Sequence, residues 1–250
     1  MLTAGVDLAA EPAGTALAVI HWAEGAATLI DLMVGMRDEQ IIDATTKVSK
    51  LGIDCALGWP AGFVSFLKTY SADSVGADLG TIDGGLDWRR TMAYRQTDRH
   101  VRQVTGRWPL SVSTDRLGMT ALRCAGLLSK LQHAGVPIDR SGAGKVVEVY
   151  PGAALRLWEF ETKGYRQSAQ IRESLVAALL RKAPWLGLGD FAGLMIDSCD
   201  AFDAVVAALS ARAVTVGQYL APTEQDLPLA KIEGWVALPT GTLNQLAKDD

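Results

Sequence analysis

The sequence predicts an α/β fold: a mixed five-stranded sheet, three antiparallel strands followed by two parallel ones, with helices on both faces and a helical insert. Three observations carry that expectation. Residues 2–34 read as three apolar runs joined by tight turns, and connections that short make neighbouring strands antiparallel. Two later apolar runs each follow a stretch of helical periodicity, the pattern of parallel crossover strands. The chain has 250 residues, 49% of them apolar, and a mean hydropathy of +0.15. A chain of that length removes roughly 70–75% of its unfolded surface from water, so its core needs neither disulfides nor metal.

Each element has its own signal. Leu2–Ala9 is an apolar strand, ended by the turn residues Pro12 and Gly14. Thr15–Trp22 is the second strand, Glu24-Gly25 the next turn, and Ala26–Val34 the third strand. From Asp38 the period changes: Ile41, Ala44, Val48 and Leu51 recur at helical spacing, with Gly52 as the stop. Leu51–Leu57 is a short strand interrupted by Asp54 and closed by Gly58-Trp59-Pro60. Residues 61–114 form the insert, with a Gly/Asp-rich stretch from Gly76 to Asp87 and an arginine cluster from Arg89 to Arg107. A helix follows at about 115–134, and Lys145–Tyr150 is a strand broken by Glu148. Beyond Pro151 helices are expected at about 152–160, 168–182 and 200–217, and Ile232–Leu238 as a last short strand.

Residues 1–250 thus read as a single domain with its insert at 61–114, in the strand order of the ribonuclease H-like fold. A dinucleotide-binding fold would alternate βα from the first strand and carry GxGxxG; both are absent, as is GxxxxGK[ST]. No apolar run approaches the ~20 residues of a membrane span, and no charged leader precedes an apolar stretch. The expectation is a cytoplasmic protein with no membrane partner. Cys55, Cys124 and Cys199 show no disulfide or metal-knuckle spacing. The net charge of −4 and pI near 5.4 leave any phosphate-rich substrate to a local basic patch or a bound cation.

The informative residues are acids inside apolar segments: Asp7, Asp54 and Glu148. Strand interiors disfavour Asp, and ionised carboxylates are rarely buried without a partner. Singly, each is equally well explained as a turn cap or an arginine partner. Together they occupy strands expected to lie side by side, about 4.8 Å apart. The helix near residue 200 adds Asp203 and Asp200, although acids in a first helical turn also suit the macrodipole. Two carboxylates about 4 Å apart repel by about 4 kcal/mol at an effective dielectric of 20. Such a cluster keeps protons or binds a cation, and oxygen-only ligands favour Mg²⁺ or Mn²⁺. That is the chemistry of a metal-dependent phosphodiesterase, with Asp7, Asp54, Glu148 and Asp203 as catalytic and metal-binding residues.

The insert carries Arg89, Arg90, Arg95, Arg99, Arg102 and Arg107 close together. One reading is a phosphate-gripping lid whose Trp88, Tyr94 and Trp108 stack on bases of DNA or RNA; the other is a solvated helix face paired with acids. Arg95, Asp98 and Arg99 are the candidate substrate-binding residues.

Several segments together resemble domain-of-unknown-function family 429: Gly5-Val6-Asp7-Leu8-Ala9-Ala10, Gly52-Ile53-Asp54, Arg95-Gln96-Thr97-Asp98-Arg99, Val147-Glu148-Val149-Tyr150-Pro151, Asp200-Ala201-Phe202-Asp203-Ala204 and Glu233-Gly234-Trp235. The resemblance spans nearly the whole chain. It implies a predicted nuclease of ribonuclease H-like fold, with Asp7, Asp54, Glu148 and Asp203 as the acidic site. Two other readings stand beside it. In a phosphotransferase or ATPase of the actin-like branch, Gly14-Thr15 approaches nucleotide phosphates. In a scaffold, the acids are paired to arginines and Trp235 serves an interface between two copies.

Overall fold

A computed structural model of the protein describes residues 1–72 and 84–247. Leu2–Asp7 forms β1, buried along its interior on both faces, which is why it reads as a continuous apolar run. Ala16–Ala23 (β2) and Ala26–Val34 (β3) follow as antiparallel neighbours. Asp38–Lys47 is helix α1, and Lys50–Asp54 returns as β4, parallel to β1. The insert holds the helices Ala61–Ala72 (α2), Gly85–Ala93 (α3) and Gln96–Thr105 (α4). Of the expected Gly/Asp-rich stretch, residues 76–83 lie outside the described residues. Gly118–His133 (α5) leads to β5 (Val146–Glu148), parallel to β4.

The C-terminal part supplies Pro151–Leu157 (α6), Ala169–Lys182 (α7), β6 (Leu186–Gly187), Ala192–Asp197 (α8), Cys199–Thr215 (α9) and Leu227–Glu233 (α10). The sheet has six strands in the order β5-β4-β1-β2-β3-β6. Two expectations need correction. The sixth strand is a two-residue addition parallel to β3, too short to show any periodicity. Ile232–Leu238 is no strand: its start belongs to α10, and beyond it only isolated bridges from Val236 to Glu148 and from Pro239 to Tyr219 form. Its apolar residues signal burial instead. Trp235 is 1% exposed and its indole N–H donates to the Leu220 carbonyl at 2.9 Å, so it offers nothing to a second copy.

The period of two along β1 and β4 decides what each face carries. Ala4, Val6, Leu51 and Ile53 pack with residues of α1 and α5 on one face. Thr3, Gly5, Asp7, Gly52 and Asp54 therefore face the other way, toward α9. That helix is buried all round, not only along the stripe through Phe202, Val205, Val206 and Leu209. Its outer side is covered by residues such as Leu155, Leu175 and Met195. The inner side rides directly on strand backbone, and two glycines permit it. A Cβ on Gly5 would collide with the backbone of Ala204 and Ala208, and one on Gly52 would stand 2.7 Å from the Ala207 carbonyl oxygen. This close approach brings Asp203 down to the ends of β1 and β4.

Candidate active site

Asp7 and Asp54 close β1 and β4 and are directly paired in the parallel register. Paired residues on adjacent strands point the same way, about 4.8 Å apart, so both carboxylates emerge on the α9 side. There they meet Asp203 and Asp200, held by an N-terminus in which the Ser198 hydroxyl accepts from the Ala201 N–H at 3.1 Å. All four line a cleft of about 400 Å³ at the carboxyl ends of the parallel strands.

Electrostatics mark the group as strained. Burial, then the charges of Asp54, Asp203 and Asp200, push the Asp7 carboxyl up to about 9, with Arg166 opposing. Asp54 is pushed up to about 8 by burial and by Asp203 and Glu148, again opposed by Arg166. Asp203 reaches about 6: burial raises it, while Arg166 and a Tyr165 hydrogen bond hold it down. The Tyr165 hydroxyl donates to both carboxylate oxygens of Asp203, at 3.0 and 3.2 Å. Arg166 stands 3.6 Å from Asp203 Oδ2, and its Nε donates to the Tyr165 hydroxyl at 3.3 Å. Among the described residues, no three His, Cys, Asp or Glu side chains are already gathered as a metal-ligand set.

Glu148 lines the same cleft but is otherwise employed. It pairs with Ile53 rather than Asp54, so the strand's alternation turns it to the opposite face from the aspartates. Arg95 grips it with two bonds, at 2.7 and 2.8 Å, and the Leu57 N–H donates to it at 3.0 Å. Burial raises the Glu148 carboxyl, and Arg95 opposes that. The Glu148 oxygens, expected in a metal shell, accept from Arg95 and Leu57 within a buried ion pair.

Arg95 and Asp98, expected to bind substrate, belong to the same buried network. Arg95 is 4% exposed, and its five N–H groups all have partners: Asp98 twice, Glu148 twice and the Glu233 carbonyl. None remains for a phosphate. Asp98, 1% exposed, also caps the Arg95 backbone N–H at 2.9 Å. Glu233 completes the knot, its two oxygens accepting the N–H groups of Ala61 and Gln96 where α2 and α4 begin. Arg99 is half-buried, and its side chain makes no hydrogen bond or ion pair among the described residues. The aromatic residues of the insert stack on protein: Trp88 edge-on to Phe66, and Tyr94 on Trp108 with centroids 4.1 Å apart. Thr15 is enclosed as well, its hydroxyl donating to Glu11 and accepting from Ala9 and Arg123.

Tyr165, Arg166 and Cys199 were not picked out by the sequence. Tyr165 and Arg166 sit in an irregular connection between α6 and α7, with no periodicity or motif to draw attention to them. Their place is set by Arg172 of α7, which donates to the carbonyls of Tyr165, Arg166, Ile196 and Asp197 and so ties this loop to the approach of α9. Cys199 opens on the cleft, its thiol pushed up to about 12 by burial and by Asp203.

A family model described as "Protein of unknown function (DUF429)" matches residues 5–227. No curated protein and no solved structure matches the chain. The match begins two residues before Asp7 and extends past α9, so every acid of the cleft lies within it, and the chain belongs to the DUF429 family.

Proposed function

We propose that this chain is a divalent-metal-dependent nuclease that hydrolyses phosphodiester bonds in the cleft of Asp7, Asp54 and Asp203, on a ribonuclease H-like sheet. The observation that carries the reading is the register pair Asp7–Asp54: two carboxylates on one face, joined by Asp203 and Asp200 and opposed by Arg166. At neutral pH Asp7 and Asp54 hold protons unless a cation replaces them. Their donor set is all oxygen, which fits Mg²⁺ or Mn²⁺. Mg²⁺ is commonly bound by one or two carboxylates with waters and substrate phosphates, so a complete protein cage is not required.

Asp7 and Asp54 are the residues that would hold the ion, with Asp203 and Asp200 beside them. When bound, the ion supplies an activated water and neutralises charge on the phosphate. Tyr165 fixes the Asp203 carboxylate from behind, and Arg166 offers a half-exposed cation at the rim for a phosphate oxygen. The Arg95–Glu148 pair acts as a brace, holding the end of β5 against the loop at Leu57. The strand order, with β1 between β4 and β2, supports the ribonuclease H-like reading.

The test is cleavage of end-labelled single-stranded, duplex and branched DNA and RNA with Mn²⁺ or Mg²⁺. The expected result is cleavage that EDTA abolishes and that falls to background in Asp7→Asn and Asp54→Asn. Absence of cleavage from all these substrates, with thermal stabilisation by a nucleoside triphosphate, would contradict it.

A further inference from the structure

Beside the acidic cleft lies a second groove of about 630 Å³, and the two share Tyr150 and Arg166 as a common wall. Its character is opposite. Arg107, Arg156, Lys163 and Arg166 line it, against the single acid Glu161. Glu161 is exposed and accepts the Lys163 backbone N–H at 2.9 Å. Arg107 and Lys163 are exposed, and their charged ends have no hydrogen-bond or ion-pair partner among the described residues. Arg156 lies over the Tyr150 ring at 5.7 Å, and its buried Nε has no hydrogen-bond partner. Arg166 is shared with Asp203, which leaves Arg107, Arg156 and Lys163 on one concavity facing a single carboxylate, an arrangement that favours an anion.

We propose that this groove binds the phosphates of a nucleic-acid strand adjoining the scissile phosphate, so that the strand crosses Arg166 from the groove into the acidic cleft. The proposal rests on the nuclease reading, because the shared wall is what makes the groove part of one substrate path. Arginine forks suit phosphate oxygens, and the exposed Lys163 adds a point charge. The phosphate grip thus comes from the α6–α7 loop and the segment after α4, not from Arg95.

The test is fluorescence anisotropy of a labelled single-stranded oligonucleotide of about a dozen residues, as DNA and as RNA, without divalent cation. Binding is then read apart from cleavage. Arg107→Glu/Lys163→Glu, both exposed, should weaken binding by at least about 10-fold and lower the salt slope by about 0.7 for each phosphate that is no longer neutralised. Arg181→Glu/Lys68→Glu, the same charge change outside the groove, should bind like the wild type, and circular dichroism should show both variants folded. Equal weakening by the two pairs would overturn the proposal. So would full displacement of the oligonucleotide by inorganic phosphate at matched phosphate concentration, which marks a site for small anions. A wild type that binds as described yet cleaves nothing with Mn²⁺ upholds the groove and refutes the nuclease reading alone.

Discussion

Glu148 and Asp54 look alike in the sequence, each an acid in a short apolar run, yet one residue of register separates their fates. Asp54 pairs with Asp7, while Glu148 pairs with Ile53 and turns to the other face, where Arg95 neutralises it. That acids would gather was legible from their placement in strands; which of them would share a face depends on pairing register, which a single sequence does not display. The consequence for stability has a definite sign. Asp7 stands at about 9 and Asp54 at about 8, above their ordinary value of 3.8, so folding takes up protons between those limits. The contribution is fully present below about pH 4 and is lost as pH rises through about 9. In metal-free buffer near pH 8, Asp7→Asn should therefore melt above the wild type, by about 2–4 °C for each kcal/mol of the cost of burying and protonating Asp7 that is relieved in a chain of this size. The difference should close toward pH 4. Differential scanning calorimetry across that range checks it, and a variant melting at or below the wild type near pH 8 would contradict it.

The element that assembles the site is α9, and its position depends on what β1 and β4 lack. With glycine at positions 5 and 52, the helix backbone sits against strand backbone, and Thr3 Oγ1 reaches the Ala208 carbonyl at 3.1 Å. Gly5→Ala forces either the helix or the strand to move, a cost at the upper end of the 1–3 kcal/mol typical of overpacking, or beyond it. Urea denaturation should show a loss of about 3 kcal/mol or more, and an unchanged midpoint would mean that α9 does not rest there. Most elements were readable from periodicity: three N-terminal strands, two crossover strands and the long helices. The misreadings have local causes. Leu186–Gly187 is too short to carry a pattern, and the apolar run after Ile232 is buried by Leu220, His100 and Thr97 and meets the sheet only through the isolated Val236–Glu148 bridge.

Across the whole molecule, a modest net charge of −4 conceals a sharp local separation. Carboxylates from β1, β4 and α9 crowd one cleft, and cations from two distant segments crowd the groove beside it, with Arg166 between them. The acidic half could be anticipated because its residues interrupt apolar runs. Of the basic half only Arg107, a member of the arginine cluster, could be anticipated; Arg156, Lys163 and Arg166 carry no signal until the fold brings them beside it. No helix among the described residues is long and apolar enough to cross a membrane. The nuclease reading rests on a divalent cation replacing the protons that Asp7 and Asp54 hold at neutral pH. Titration calorimetry with Mn²⁺ at pH 7, repeated in buffers of different ionisation enthalpy, measures that exchange directly. The account predicts saturable binding that releases about one to two protons, lost in Asp7→Asn and Asp54→Asn. Binding that is absent, or that survives both substitutions with no proton release, would contradict it.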